Sequence, residues 1–188
     1  VRKPKEPSGR VRFLSDDERQ RLLDACKASE NKYLYPIIVL ALATGMRRGE
    51  LCALEWHEVD LKHDRIYIPS SKAKSGKGRT IPITDRSREA LRELEKLRWY
   101  DQSGDLCTKV VPATGNAVRM AFGRIKKLAG LEHIRVHDIR HESISRFHEL
   151  GLTIPEIMEI SGHSDMETLE RYSHASTTNL VAKLGGGI

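Results

Sequence analysis

Cysteine is scarce in this chain of 188 residues, and what there is cannot staple it. Cys26, Cys52 and Cys107 lie far apart with no Cys-x-x-Cys spacing, which excludes a disulfide scaffold and fits an intracellular, cytoplasmic setting. Long apolar runs are also missing. The longest, Ile37 to Ala43, is far too short to cross a bilayer, and no signal peptide precedes it. No internal repeat is visible. Nor does charge of one sign dominate: 32 Lys and Arg stand against 26 Asp and Glu, a formal net charge of +6. That balance leans toward a polyanionic partner, but the acidic residues are too plentiful for a polybasic tail.

What is present reads as one soluble globular domain, with 39% hydrophobic and 31% charged residues. Val1 to Arg12 is rich in Lys, Arg and Pro and reads as an exposed basic linker, either a solvated arm or a phosphate-contacting link. The start at Val1, without Met, reads as a domain cut from a longer protein. Ser15-Asp16-Asp17-Glu18 is a capping box that opens a helix carrying Leu22, Leu23 and Cys26. Tyr33 to Ala43 is helical and apolar on most faces, and a third helix starts near Arg47. The period then changes. Asp64 to Pro69 and Arg79 to Ile83 predict two short strands, placed at a sheet edge by their prolines. Between them lies a basic loop with Lys72, Lys74 and Lys77. Helices are expected over Asp85–Arg98, Thr114–Ala129 (Val118, Met120, Phe122, Ile125 and Leu128 apolar), Asp138–Leu150 and Ile154–Ile160. Ser164 and Glu167 form a second capping box for a helix carrying Tyr172, and Thr178–Leu184 is a last short helix. The fold class is therefore mainly α with a small antiparallel β-sheet.

Several constellations carry chemistry. At ~100° per residue, Ile139, Ile144, Phe147 and Leu150 span an apolar arc of about 140°, and Arg140 falls inside it. An inward arginine needs an anionic partner, either a protein carboxylate or a phosphate. His137 lies at the edge of that arc. His137 and His141 also have the i, i+4 spacing of a zinc pair, but Asp138 follows where a zinc protease has Glu, and no third ligand stands at a diagnostic spacing. Arg47 precedes Glu50 by three residues, as a surface ion pair or as an arginine oriented by its carboxylate for phosphate binding. Lys72, Lys74, Lys77 and Arg79 place four cations in eight positions. They form a solvated tip or a finger for the nucleic-acid backbone. Tyr172 continues the stripe of Met166 and Leu169. It is a core residue, or a nucleophile whose phenolate, at a pKa of ~10, needs nearby cations.

Together these residues resemble the catalytic domain of the tyrosine recombinases, the phage-integrase type of site-specific recombinase. Thr44-Gly45-Met46-Arg47-Arg48-Gly49-Glu50-Leu51 is similar to the first-arginine motif, and Lys74 to Pro82 to the β-hairpin segment. His137-Asp138-Ile139-Arg140-His141 matches His-x-x-Arg. Gly162-His163 with Tyr172 nine residues later matches the Gly-His and nucleophile spacing. One departure is Ser161, where Leu is usual before Gly-His, expected to be a packing difference.

The resemblance implies a catalytic domain over residues 13–174 and a tail over 175–188 that docks on its own domain or on a neighbouring protomer. It implies Tyr172 as nucleophile forming a 3′-phosphotyrosine, with Arg47 and Arg140 on the phosphate oxygens and Glu50 supporting Arg47. It further implies Lys74 as general acid, His137 in proton transfer and His163 hydrogen-bonded to the phosphate. Lys72, Lys77 and Arg79 would contact DNA. No metal or other cofactor and no ATP are implied. The implied partners are double-stranded DNA attachment sites, bound by a homotetramer formed from monomers, most simply in phage integration and excision. A type IB topoisomerase, a non-catalytic DNA-binding relative and a zinc hydrolase are the competing readings. The family's upstream core-binding domain is not in this sequence.

Overall fold

The computed structural model describes residues 14–100 and 103–170; the linker 1–12, the tail 175–188 and Tyr172 lie outside the described residues. Eight helices and three strands are described. They are α1 (Asp16–Lys27), α2 (Leu34–Thr44), α3 (Arg48–Ala53), β1 (Val59–Asp60), β2 (Arg65–Ile68), β3 (Arg79–Pro82), α4 (Asp85–Lys96), α5 (Gly115–Leu128), α6 (Asp138–Glu149), α7 (Ile154–Ser161) and α8 (Glu167–Glu170). The class is the expected one, mainly helical with a small antiparallel sheet. No described helix is long and apolar enough to cross a membrane.

The first capping box is as the sequence predicts. The Glu18 amide donates to Ser15 Oγ at 3.1 Å, and the Ser15 amide to the Glu18 carboxylate at 3.0 Å. Helix α2 is the central element, burying Leu34, Ile37, Ile38, Val39 and Leu40. It ends at Gly45, whose φ of +61° terminates the helix in the left-handed region. A Cβ there would lie 3.3 Å from Phe147 and 3.4 Å from Ser143, so α6 approaches the turn closely.

The sheet runs β1-β2-β3, with Ile66 opposite Ile81 and Ile68 opposite Arg79. Strand alternation puts all four of those residues on the buried face. β3, with Pro82, is an edge as expected. β2 is central, because the two-residue β1 covers its other side.

Helix faces are narrower than the sequence suggested. Val118, Ala121, Phe122 and Ile125 of α5 are buried, but Met120 and Leu128 are 49% and 78% exposed. They fall about 160° and 120° from Phe122 around the helix. Leu150, just past α6, is also exposed.

A second, smaller cluster of Ile144, Ile157 and Leu169 joins α6, α7 and α8. The expected Ser164–Glu167 capping box is replaced. Asp165 takes the cap, accepting from the Glu167 amide at 3.0 Å and from the Thr168 hydroxyl at 3.3 Å, so α8 starts at Glu167. At the other end of the described chain, the Leu14 amide donates to Glu142 Oε2 at 2.9 Å, and Arg19 Nη1 to Oε1 at 3.0 Å. Glu142 sits two residues after Arg140 on α6.

Phe122 is 2% exposed and anchors α5 in the main core. Phe122→Ala should destabilise the protein by about 3–5 kcal/mol through lost transfer energy and the cavity left behind. Urea unfolding should show a lowered midpoint with an unchanged slope.

Candidate functional site

The site is built on the end of α7. The last carbonyls of a helix have no partner inside it. Here three consecutive ones each accept from an arginine brought by a different element. Arg79 Nε of β3 donates to Ile160 at 2.9 Å, Arg140 Nη2 of α6 to Ser161 at 2.8 Å, and Arg47 Nη2 from the start of α3 to Gly162 at 3.0 Å. Cations at a helix C-terminus also complement its dipole.

Glu50 locks two of these arginines together. Its carboxylate accepts two bonds from Arg79, at 3.0 and 2.7 Å, one from Arg47 Nη1 at 3.1 Å and one from the Arg47 amide at 3.0 Å. The Arg79 and Glu50 side chains are 3% and 2% exposed. Burial pushes the Glu50 carboxyl up. Hydrogen bonds from Arg79 and Arg47, with their charges, more than offset this and hold its pKa below the ordinary value. Glu50 therefore supports Arg47 as expected, but a second arginine holds it as tightly.

That second arginine corrects the sequence reading. Arg79 was expected on the DNA-contacting tip; instead it is buried and fully engaged by Glu50 and Ile160. The signal was present in strand periodicity, since Arg79 shares a face with Ile81. Lys72 is likewise corrected. Its Nζ lies 2.8 Å from Glu58 and 3.7 Å from Glu55, tying it to the base of the loop. Lys74 and Lys77 are exposed and, among the described residues, make no ion pair.

Gly162 leaves no room for a side chain. Its φ is +68°, and a Cβ would stand 2.8–3.0 Å from the Arg79 guanidinium. Arg140, 5% exposed, also donates to the Gly45 carbonyl at 2.5 Å and lies 3.2 Å from His163 Nε2. Backbone carbonyls thus hold the inward arginine, a class of partner the sequence reading did not consider. Ser161, expected as a packing difference, is buried and hydrogen-bonded: its hydroxyl meets the Ile157 carbonyl at 2.5 Å and His163 Nδ1 at 2.7 Å.

In front of these groups lies a cleft of about 360 Å³ whose lining includes Arg47, Lys74, His137 and Arg140. Four of the expected residues therefore meet on one cavity, and His163 touches Arg140 beside it. Arg48, which the sequence reading passed over, also lines the cleft; its tandem position after Arg47 was the only cue. His137 and His141 pack edge to face with ring centroids 4.8 Å apart. Among the described residues no group of three or more His, Cys, Asp or Glu could hold a metal ion.

The electrostatics follow from the crowding of cations. Burial, then the charges of Arg140 and Arg47, push His163 down to about 4. Loss of solvent around the ring, then Arg140, lowers His137, with Asp138 opposing; His137 is exposed, so water screens much of this. At neutral pH the His163 ring is uncharged and the surroundings of His137 favour its neutral form, so the positive field comes from guanidinium and ammonium groups. Such a cleft suits an anion that accepts several hydrogen bonds, above all a phosphate diester.

Comparison with known proteins gives a consistent result. The sequence profile described as Phage integrase family matches residues 12–179. The shufflon-specific DNA recombinase of Escherichia coli is 40% identical over 98% of this chain and 45% of its own length. The chain spans about half the length of the curated relatives it matches. The catalytic domain of bacteriophage HP1 integrase superposes with a TM-score of 0.67 at 27% identity, covering 91% of this chain and 93% of that one. A lambda integrase tetramer bound to a Holliday junction shares the fold, with a TM-score of 0.70 at 21% identity over 91% of this chain and 50% of that one.

Two predictions follow from the buried charges. Glu50→Gln leaves Arg79 buried without its counter-charge and should cost about 3–5 kcal/mol in urea unfolding. The second concerns pH. His163 binds a proton less readily folded than unfolded, so stability is full above about 6.5 and falls as pH drops toward about 4. Glu50, lowered from its ordinary 4.5, withdraws its own contribution below that value. His163→Asn should flatten the upper part of this acid limb, read as the urea midpoint against pH, and Glu50→Gln the lower part.

Proposed function

The chain belongs to the phage integrase family, and from that membership we propose that it cuts and rejoins DNA as a site-specific recombinase in phage or prophage integration and excision. The observation that carries this reading is the convergence of Arg47, Lys74, His137 and Arg140 on one cleft.

The Tyr172 hydroxyl attacks the scissile phosphorus, and the departing 5′-oxygen leaves as the tyrosyl ester forms. His137, whose surroundings favour the neutral ring, takes the phenolic proton, and Lys74 supplies a proton to the 5′-oxygen. Arg47 and Arg140 stabilise the charge that builds on the non-bridging oxygens. His163 adds a further polar contact next to Arg140. The products are a 3′-phosphotyrosine and a free 5′-hydroxyl. A 5′-hydroxyl attacking that ester reverses the step, so the phosphodiester bond energy is conserved and no ATP is consumed. Fixed cations carry the charge stabilisation, so the reaction proceeds without a metal ion.

Lys77, exposed on the hairpin loop, contacts the DNA backbone, while Lys72 and Arg79 shape the loop from below. The partners are double-stranded attachment sites, bridged by four protomers that are monomers when free. The tetramer of lambda integrase on a junction supports this assembly by likeness of fold.

The test uses nicked suicide duplexes with randomised sequence and scores protein–DNA complexes that survive SDS. The protein should form such adducts, and Tyr172→Phe none, with binding of the same duplexes changed by less than about twofold. Arg140→Lys should slow adduct formation by about 10²–10³-fold. Chelation by EDTA should leave the rate unchanged; undiminished adduct from Tyr172→Phe, or loss on chelation, would sink the mechanism.

A further inference from the structure

The Ser161 hydroxyl has one proton, and two neighbours lie within hydrogen-bond reach. The Ile157 carbonyl, at 2.5 Å, can only accept. The hydroxyl proton therefore points at Ile157. His163 Nδ1, at 2.7 Å from the same oxygen, then has a lone pair to donate into, and it carries the ring proton. The guanidinium does not choose between the nitrogens. Arg140 Nη2 lies 3.2 Å from Nε2 and 3.4 Å from Nδ1, nearly equidistant, so it sits against the ring face and away from either lone-pair direction. The Ser161 contact alone selects the form of the ring.

We propose that Ser161 is a positioning residue that fixes His163 as the Nδ1–H tautomer, leaves Nε2 unprotonated, and so holds the ring against the Arg140 guanidinium. The chain of bonds runs from Ile157 carbonyl to Ser161 hydroxyl to Nδ1–H, and the ring so fixed packs its face on the guanidinium. Burial of the ring, then the charges of Arg140, Arg47, His141 and Arg79, favour its neutral form, which this tautomer requires. The side chain implied by family likeness at this position, a leucine, could form no such relay. In the free protein Nε2 then carries no proton, so His163 meets Arg140 as a neutral ring and is not a donor to an anion. This catalytic consequence rests on the strand-cleavage reading given above; the tautomer itself does not.

The test is ¹⁵N NMR of the imidazole groups in the 188-residue chain at neutral pH, with His163 assigned by comparison with His163→Asn. A pyrrole-type Nδ1 and a pyridine-type Nε2 are expected in the unsubstituted protein. Ser161→Ala should populate the opposite tautomer, and Ser161→Thr, which keeps the hydroxyl, should restore the first. Adduct formation on duplexes recovered from the randomised pool should slow by about tenfold in Ser161→Ala, the effect of one hydrogen bond lost near the transition state. Duplex affinity should change by less than about twofold, and Ser161→Thr should recover the rate. A pyrrole-type Nε2 in the unsubstituted protein, or an unchanged tautomer in folded Ser161→Ala, overturns the proposal. If the unsubstituted protein shows Nδ1–H but forms no adduct, Ser161 keeps its role and the strand-cleavage reading fails instead.

Discussion

Everything in the site depends on the capping of one short helix by arginines. α7 has only eight residues and brings little dipole of its own, yet its last three carbonyls fix guanidinium groups from β3, α6 and the start of α3. Each arginine comes from a distant part of the chain, and none could be placed by local structure alone. The helix end acts as a common template. Because carbonyl oxygens sit at fixed spacing along a backbone, the arginines inherit that spacing. Glu50 then supplies the only anion at their centre among the described residues and brings two of the charges close without requiring solvent between them.

The same arrangement explains why the site stays strongly positive. Arg47 and Arg140 are both anchored by bonds to backbone carbonyls, and both line the cleft. Their charge suppresses protonation of the histidines, which therefore stay available as acceptors or bases near neutral pH. Arg79 contributes field and geometry from beneath. A buried arginine and a buried glutamate hold each other's desolvation cost in check, and either alone would be strongly destabilising. Function and folding thus draw on the same ion pair.

Much of the fold was legible, because helices with caps and strands with alternation are local signals. Ser15 and Glu18 announced α1, and Asp85 to Lys96 showed its apolar spacing openly. The inward direction of Arg140 was legible from periodicity, and the cleft residues from their order in the chain. Four features were not. Arg79 was counted with its loop neighbours by charge, when its strand face assigned it to the interior. Lys72 is tied down by Glu55 and Glu58, which lie at a distance in sequence that no local pattern reports. Asp165, not Ser164, caps α8, because an aspartate one position later offers two oxygens to the same helix start. The side chain of Ser161 was read by size; its consequence lies in where its single proton points, which only the position of the Ile157 carbonyl decides.

The contact between Leu14 and Glu142 has a mechanical consequence. Leu14 is where the described chain begins, and its amide is tied to a carboxylate two positions beyond Arg140 on the same helix. Arg19 of α1 holds the other oxygen of that carboxylate, so the first described residues and α1 are both fastened to the helix that carries Arg140. A shift of α6 would therefore disturb two sets of contacts together, Glu142 with Leu14 and Arg19, and Arg140 with Gly45 and Ser161.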